Sequence, residues 1–117
     1  MTDAVSALPR PLATMPDGVR RAIRGVLTDI DDTLTSDGKL TAPAYAALQR
    51  LHDAGRIVIP VTGRPAGWCD HIARMWPVDA VVGENGAFYM RFDDAQRKLV
   101  RRFLAPDATR AAHRAQL

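Results

Sequence analysis

Apolar residues along this chain fall into short blocks whose internal spacing changes from block to block. GVLTDI, residues 25–30, stops abruptly at acidic, turn-forming residues and predicts a short buried strand with Asp29 at its carboxyl end. RIVIPVT, residues 56–62, is continuously apolar, as a parallel strand covered on both faces would be, and predicts a second strand. DAVVG, residues 79–83, predicts a third. Between these blocks the period becomes helical. Thr41 suits a helix cap, Pro43 its first turn, and Ala44, Ala47, Leu48 and Leu51 form an apolar stripe that Gly55 stops. In the next interval Trp68, Ile72, Met75 and Trp76 recur at helical spacing until Pro77, which assigns both tryptophans to the core.

Smaller features complete the outline. The Asp37-Gly38 pair between alternating residues predicts a tight hairpin. AFYMRF and KLVRRFL predict a longer hairpin around Asp93-Asp94-Ala95-Gln96, and a helix capped by Asp107 begins after Pro106. Pro9, Pro11, Pro16 and Gly18 mark the first 18 residues as a mobile leader. The division expected is a flexible leader and approach over 1–24, a core over 25–92, and a return strand with the start of a further element over 93–117. Strand, helix, strand, helix, strand predicts an α/β fold, a Rossmann-like parallel sheet with flanking helices, incomplete and with a β-hairpin near its C-terminus. Ligands of such sheets gather beyond the carboxyl ends of the strands, which places Asp29, Thr62 and Glu84-Asn85 on one rim.

Composition narrows the class. At 117 residues, 47% apolar and 25% charged, the chain is sized for one small globular domain. Its net charge of +3 owes much to Arg91, Arg97, Lys98, Arg101, Arg102, Arg110 and Arg114, but no recognition helix or zinc pattern accompanies them, so no nucleic-acid partner is expected. No apolar run approaches the roughly 20 residues of a membrane span, and the first residues lack the basic start and apolar middle of a secretory signal. The expectation is a cytoplasmic protein without a membrane partner. Cys69 is the only cysteine and has no histidine in an obvious partnering position, which reads as a structural thiol; His52, His71 and His113 lack metal-ligand spacing and read as surface residues.

Asp29, Asp31 and Asp32 lie within four positions behind the first apolar block. In an extended segment Asp29 and Asp31 would point the same way, about 7 Å apart. Their repulsion asks for a cation, and Mg²⁺, which takes one or two carboxylates together with substrate phosphate, makes phosphate chemistry the natural reading. A carboxylate can attack phosphorus to form an aspartyl phosphate, and a second can protonate the leaving oxygen and later deprotonate water. Thr62 followed by the amide of Gly63 is the kind of pair that holds a phosphoryl oxygen.

The motifs carry a resemblance. DIDDTLT, residues 29–35, resembles the first motif of the haloacid dehalogenase-like phosphatases, and VTGR, residues 61–64, resembles their second. ENGA, residues 84–87, resembles the branch with a type IIB cap, which includes the Cof-like, sucrose-phosphate, trehalose-phosphate and mannosylphosphoglycerate phosphatases. The likeness runs from about Gly25 to Phe92. It implies Asp29 as nucleophile and Mg²⁺ ligand, and Asp31 as general acid/base and a second ligand through its backbone carbonyl. It implies Thr62 with Gly63 as the phosphoryl clamp, Arg64 and Asn85 as substrate-facing residues, and Asp32 and Thr33 as shapers of the turn. The substrate implied is a small phosphate ester, such as a sugar phosphate.

The same resemblance requires a lysine and a further acidic motif after later strands. Lys39 in the predicted hairpin and Lys98 in the basic one are not well placed for the former. The chain therefore resembles the amino-terminal part of a larger phosphatase, ending as the cap begins, with turnover impaired unless a missing C-terminal half completes it. Two alternatives are a phosphorylation-receiver module, whose acceptor aspartate belongs at the end of the middle strand, and a non-catalytic remnant. Oligomeric state is left open.

Overall fold

The computed structural model describes residues 8–117. The part of the expected leader over residues 1–7 lies outside the described residues. The rest of that leader is structured rather than mobile: a 3-10 turn at Leu12–Thr14 leads into α1, Asp17–Ala22. Pro16 immediately before the helix, Asp17 in the first turn and Arg20 and Arg21 in the last suit the helix dipole at both ends. Asp17 and Arg20 also pair. None of its residues is buried.

The parallel sheet forms as expected, with shorter strands. β1, Gly25–Thr28, runs parallel to β4, Ile57–Pro60, in the register Gly25 with Ile57 through Thr28 with Pro60. Across the other edge of β4 lies β5, Val81–Gly83, joined by a parallel bridge between Val61 and Val82. There the Asp79 amide donates to the Val58 carbonyl (2.9 Å) and the Asp79 carboxylate accepts from the Val58 amide (2.7 Å). β5 then turns antiparallel into β6, Phe88–Asp93, which pairs with β7, Lys98–Phe103. The small hairpin is present as β2, Thr35–Ser36, and β3, Lys39–Leu40, with Asp37 at φ 50° and Gly38 at φ 74°, the two left-handed residues its tight turn requires.

α2, Ala42–Asp53, connects β1 to β4 by way of the hairpin, and α3, Ala66–Met75, connects β4 to β5. Crossovers of this kind are right-handed. Because the chain steps in one direction across the sheet, β1 to β4 to β5, both helices fall on the same face. Val58, Pro60 and Val81 are accordingly buried on that side, together with Leu48 of α2 and Cys69 and Ile72 of α3. Register partners share a face, so Leu27 and Ile59, Ile57, Val61 and Val82, and Tyr89 lie on the other. No described element covers them: Leu27 is 71% exposed and Ile57 50%. The expectation of strands buried on both faces is thus corrected.

The core stripe of α3 also differs from the expected one. Cys69, Ile72, Ala73 and Trp76 face the sheet, whereas Trp68 (54% exposed) and Met75 (65% exposed) sit off that stripe. Both sets fit helical periodicity, and the small side chains won because α3 approaches β5 closely. A Cβ at Gly83 would lie 2.6 Å from both the Cys69 sulfur and the Phe88 ring. Phe88 meets Phe103 edge to face, with centroids 6.0 Å apart. Beyond β7, α4 spans Asp107–Ala115 with Pro106, not Asp107, at the cap position; the Arg110 guanidinium lies over the Phe103 ring. Thr41 occupies the cap position of α2 as expected, but its hydroxyl makes no capping bond. Among the described residues no helix is long and apolar enough to cross a membrane.

The two faces should respond differently to truncation. Ile72→Ala, at a site 1% exposed, is expected to cost about 2–5 kcal/mol. Leu27→Ala should stay within about 0.5 kcal/mol of the parent chain. Urea unfolding of both variants checks this, and equal losses would contradict the one-sided core.

Candidate active site

The turn after β1 is organised around one carbonyl. Ile30 buries its side chain, and its carbonyl oxygen accepts the amides of Thr33 (3.2 Å), Leu34 (3.0 Å) and Thr35 (3.0 Å). Asp32 takes a left-handed conformation (φ 59°), which aspartate tolerates, and its amide donates to the Thr35 hydroxyl. The chain is therefore not extended through Asp31, because this turn intervenes. Asp29 stands exposed just past the strand, where its carboxylate accepts the Thr33 hydroxyl at 3.2 Å. That contact was not anticipated; the i, i+4 spacing of an acid and a threonine across a turn was its sequence signal.

Asp31 is held from another direction. Arg64 donates from Nε to one oxygen (3.1 Å) and from Nη2 to the other (2.7 Å), a two-pronged pair that spans 33 residues of sequence. The hydrogen bonds from Arg64 hold the Asp31 carboxyl below the usual carboxylate range, the charge of Arg64 adding to the effect. The charge of Asp31 is thus balanced by protein.

Past β4, Thr62 is buried; its amide donates to the Val82 carbonyl and its hydroxyl oxygen accepts the Arg64 amide at 3.1 Å. A hydroxyl oxygen so occupied still has a proton to donate. Past β5, Glu84 (φ 47°), Asn85 (φ 57°) and Gly86 (φ 100°) are left-handed in succession. This costly backbone is fixed to the preceding loop: the Glu84 amide donates to the Arg64 carbonyl and the Asn85 amide to the Thr62 carbonyl, each at 3.1 Å. Asn85 packs its side-chain oxygen against Gly63, where a Cβ would come within 2.9 Å. The Cys69 thiol donates to the Arg64 carbonyl from below, at 3.7 Å. Burial, with the Glu84 charge adding, pushes that thiol's pKa up, so Cys69 is the inert structural thiol expected.

The structure thus gathers Thr62, Gly63, Arg64 and Asn85 into one pair of interlocked loops and joins Asp31 to them through Arg64. Asp29 stands at the end of the neighbouring strand, next to β4 across the Val61 amide bond to the Thr28 carbonyl. Lys39 lies in β3 and Lys98 in β7. Among the described residues no three His, Cys, Asp or Glu side chains cluster as a metal site. The Asp29 carboxylate, which accepts the Thr33 hydroxyl, is an oxygen donor of the kind Mg²⁺ takes.

The parallel three-strand unit thus carries an acid after its first strand and a Thr-Gly-Arg loop after its second. The family profile described as haloacid dehalogenase-like hydrolase matches residues 26–115, and the chain belongs to that family. A solved haloalkanoate-superfamily phosphatase from Bacteroides thetaiotaomicron is 27% identical over 91% of this chain, with a TM-score of 0.56. A haloacid dehalogenase-like hydrolase from the same organism, at 15% identity over 79% of the chain and a TM-score of 0.57, shares the fold. The chain spans 39% and 36% of the lengths of these two proteins. No curated protein matches it.

The Asp31–Arg64 pair should register in acid. A carboxyl lowered by folding contributes stability that is present above its ordinary pKa, near 3.9, and lost as pH falls through the lowered value. Arg64→Gln should therefore lower Tm at neutral pH, with the gap to the parent closing progressively below about pH 4. Thermal scans from neutral to acid pH test this; a gap that widens in acid would contradict the pairing.

Proposed function

We propose that this chain carries the nucleophile-bearing part of a Mg²⁺-dependent phosphomonoester hydrolase that works through an aspartyl phosphate. The observation that carries this reading is the unequal treatment of two carboxylates two residues apart. Asp29 is exposed and bonded only by the Thr33 hydroxyl among the described residues, whereas Asp31 is held by a guanidinium. A carboxylate without a cationic partner is available to attack phosphorus, and one held ionised beside a guanidinium is available to take a proton from water.

In the first step an Asp29 oxygen attacks phosphorus, the ester P–O bond breaks, and protonated Asp31 gives its proton to the leaving oxygen. In the second, water attacks phosphorus, the Asp31 carboxylate takes a proton from it, and the bond from Asp29 to phosphorus breaks to free inorganic phosphate. Arg64 bonds both Asp31 oxygens and holds the carboxyl ionised, which favours the base of the second step; it must release one oxygen for Asp31 to carry the proton of the first. The Thr62 hydroxyl and Gly63 amide donate to phosphoryl oxygens, and Asn85 fixes the loop that presents them. Mg²⁺, which the Asp29 carboxylate and the Asp31 carbonyl would hold, would supply charge neutralisation for the phosphoryl group. The substrate is a phosphorylated sugar or a similar small metabolite. The single cysteine, which leaves no internal disulfide to form within the chain, favours the cytoplasm as the place of action.

Efficient turnover needs a further polypeptide segment that lies on the uncovered face around Leu27, Ile57 and Tyr89 and brings the lysine this chain does not place at the site. The exposed apolar face and the greater length of the solved relatives support this. A receiver module is less favoured, because the middle strand β4 runs into Val61-Thr62 and ends on no acid.

Phosphate release from 4-nitrophenyl phosphate should depend on Mg²⁺ and fall to background in Asp29→Asn. Equal Mg²⁺-dependent rates above background in parent and variant would remove Asp29 as nucleophile. In single-turnover measurements of the phosphorylation step, Asp31→Asn should slow alkyl phosphates by about 10²-fold or more but aryl phosphates much less, because a phenolate leaves without a proton. Equal slowing of both classes would contradict Asp31 as the acid.

A further inference from the structure

An exposed ion pair on a flexible arginine stem is ordinarily worth little and holds no single geometry. Arg64 is nevertheless constrained throughout. Its amide donates to the Thr62 hydroxyl, its carbonyl accepts the Glu84 amide and the Cys69 thiol, and its side chain meets Asp31 at both prongs. The remaining contact is Trp68, whose ring centroid lies 4.5 Å from the guanidinium carbon. Trp68 is off the core stripe of α3 and 54% exposed, so packing against the sheet does not account for a tryptophan there. With Asp31 and Arg64 it lines a cavity of about 100 Å³ that Thr35 and Gly38 of the small hairpin close from the opposite side.

We propose that Trp68 is a positioning residue: its indole face holds the Arg64 guanidinium in the orientation from which both nitrogens reach Asp31. A cation over an aromatic face is attracted electrostatically by the ring. Resting on the reading of Asp31 as the acid/base, this makes an aromatic ring at position 68 the device that aims that carboxylate. Phenylalanine keeps a face for the guanidinium, whereas leucine keeps bulk without it.

The test is the Arg64 Nε–H resonance in ¹⁵N NMR of the full chain, read without substrate, so a chain that releases no phosphate still passes or fails it. In the parent this proton should exchange with water several-fold more slowly than that of the exposed Arg102 and carry a ring-current shift. Trp68→Phe should retain slow exchange, and Trp68→Leu should bring exchange to the Arg102 rate while the α3 amide shifts stay in place. Slow exchange that survives Trp68→Leu, or is lost equally in Trp68→Phe, would overturn the proposal. Should the leucine variant not fold, the parent decides: NOEs between the indole ring and the Arg64 δ-methylene support it, and their absence overturns it.

Discussion

The structure depends on the fixed hand of the crossover connection. Two right-handed crossovers that step the same way across a parallel sheet leave their helices no choice of side. Both pack on one face, over Val58 and Val81, and the opposite face is left with Leu27, Ile57 and Tyr89 open. The same handedness brings the carboxyl ends of β1, β4 and β5 to one rim, where three loops meet. Site and open face are two results of one topological fact.

At that rim the fold accepts backbone strain in return for rigidity. Successive left-handed residues at Glu84, Asn85 and Gly86 are unfavourable in isolation, yet they let two amides bond back to the loop after β4. That loop in turn offers Arg64 to Asp31 and Gly63 to the space beside Asn85. The turn after β1 is secured differently, through three amides converging on the Ile30 carbonyl. Each loop is fixed by main-chain bonds, and side-chain contacts among Asp31, Arg64 and Trp68 act on this fixed frame. Charge is divided in the same way: Asp31 is neutralised within the protein, and Asp29 is left as the acid free to meet a ligand.

Much of this was legible in the sequence because local chemistry dictated it. The Asp37-Gly38 turn, the helix ended by Gly55 and the hairpin of β6 and β7 each follow from residues a few positions apart. Asp29 could be put at a strand end because an apolar run stops there. What escaped is tertiary. Trp68 and Met75 are larger apolar residues than Cys69 and Ala73 and outweigh them in a linear reading of α3, although it is Cys69 that meets the sheet closely at Gly83 and Ala73 that is buried. Leu27 and Ile57 look like core residues in any linear reading, since exposure of one sheet face depends on which elements are present to cover it. The Asp31–Arg64 pair joins segments 33 residues apart, and no periodicity encodes it.

The central claim is that Asp29 forms the covalent bond to phosphorus. Borohydride added during Mg²⁺-dependent reaction with an aryl phosphate reduces an acyl phosphate to an alcohol, converting the phosphorylated aspartate to homoserine. Peptide mass spectrometry should then find homoserine at position 29 and aspartate intact at positions 31 and 32. Homoserine at either of those positions, or none at position 29 while phosphate is being released, would contradict the account.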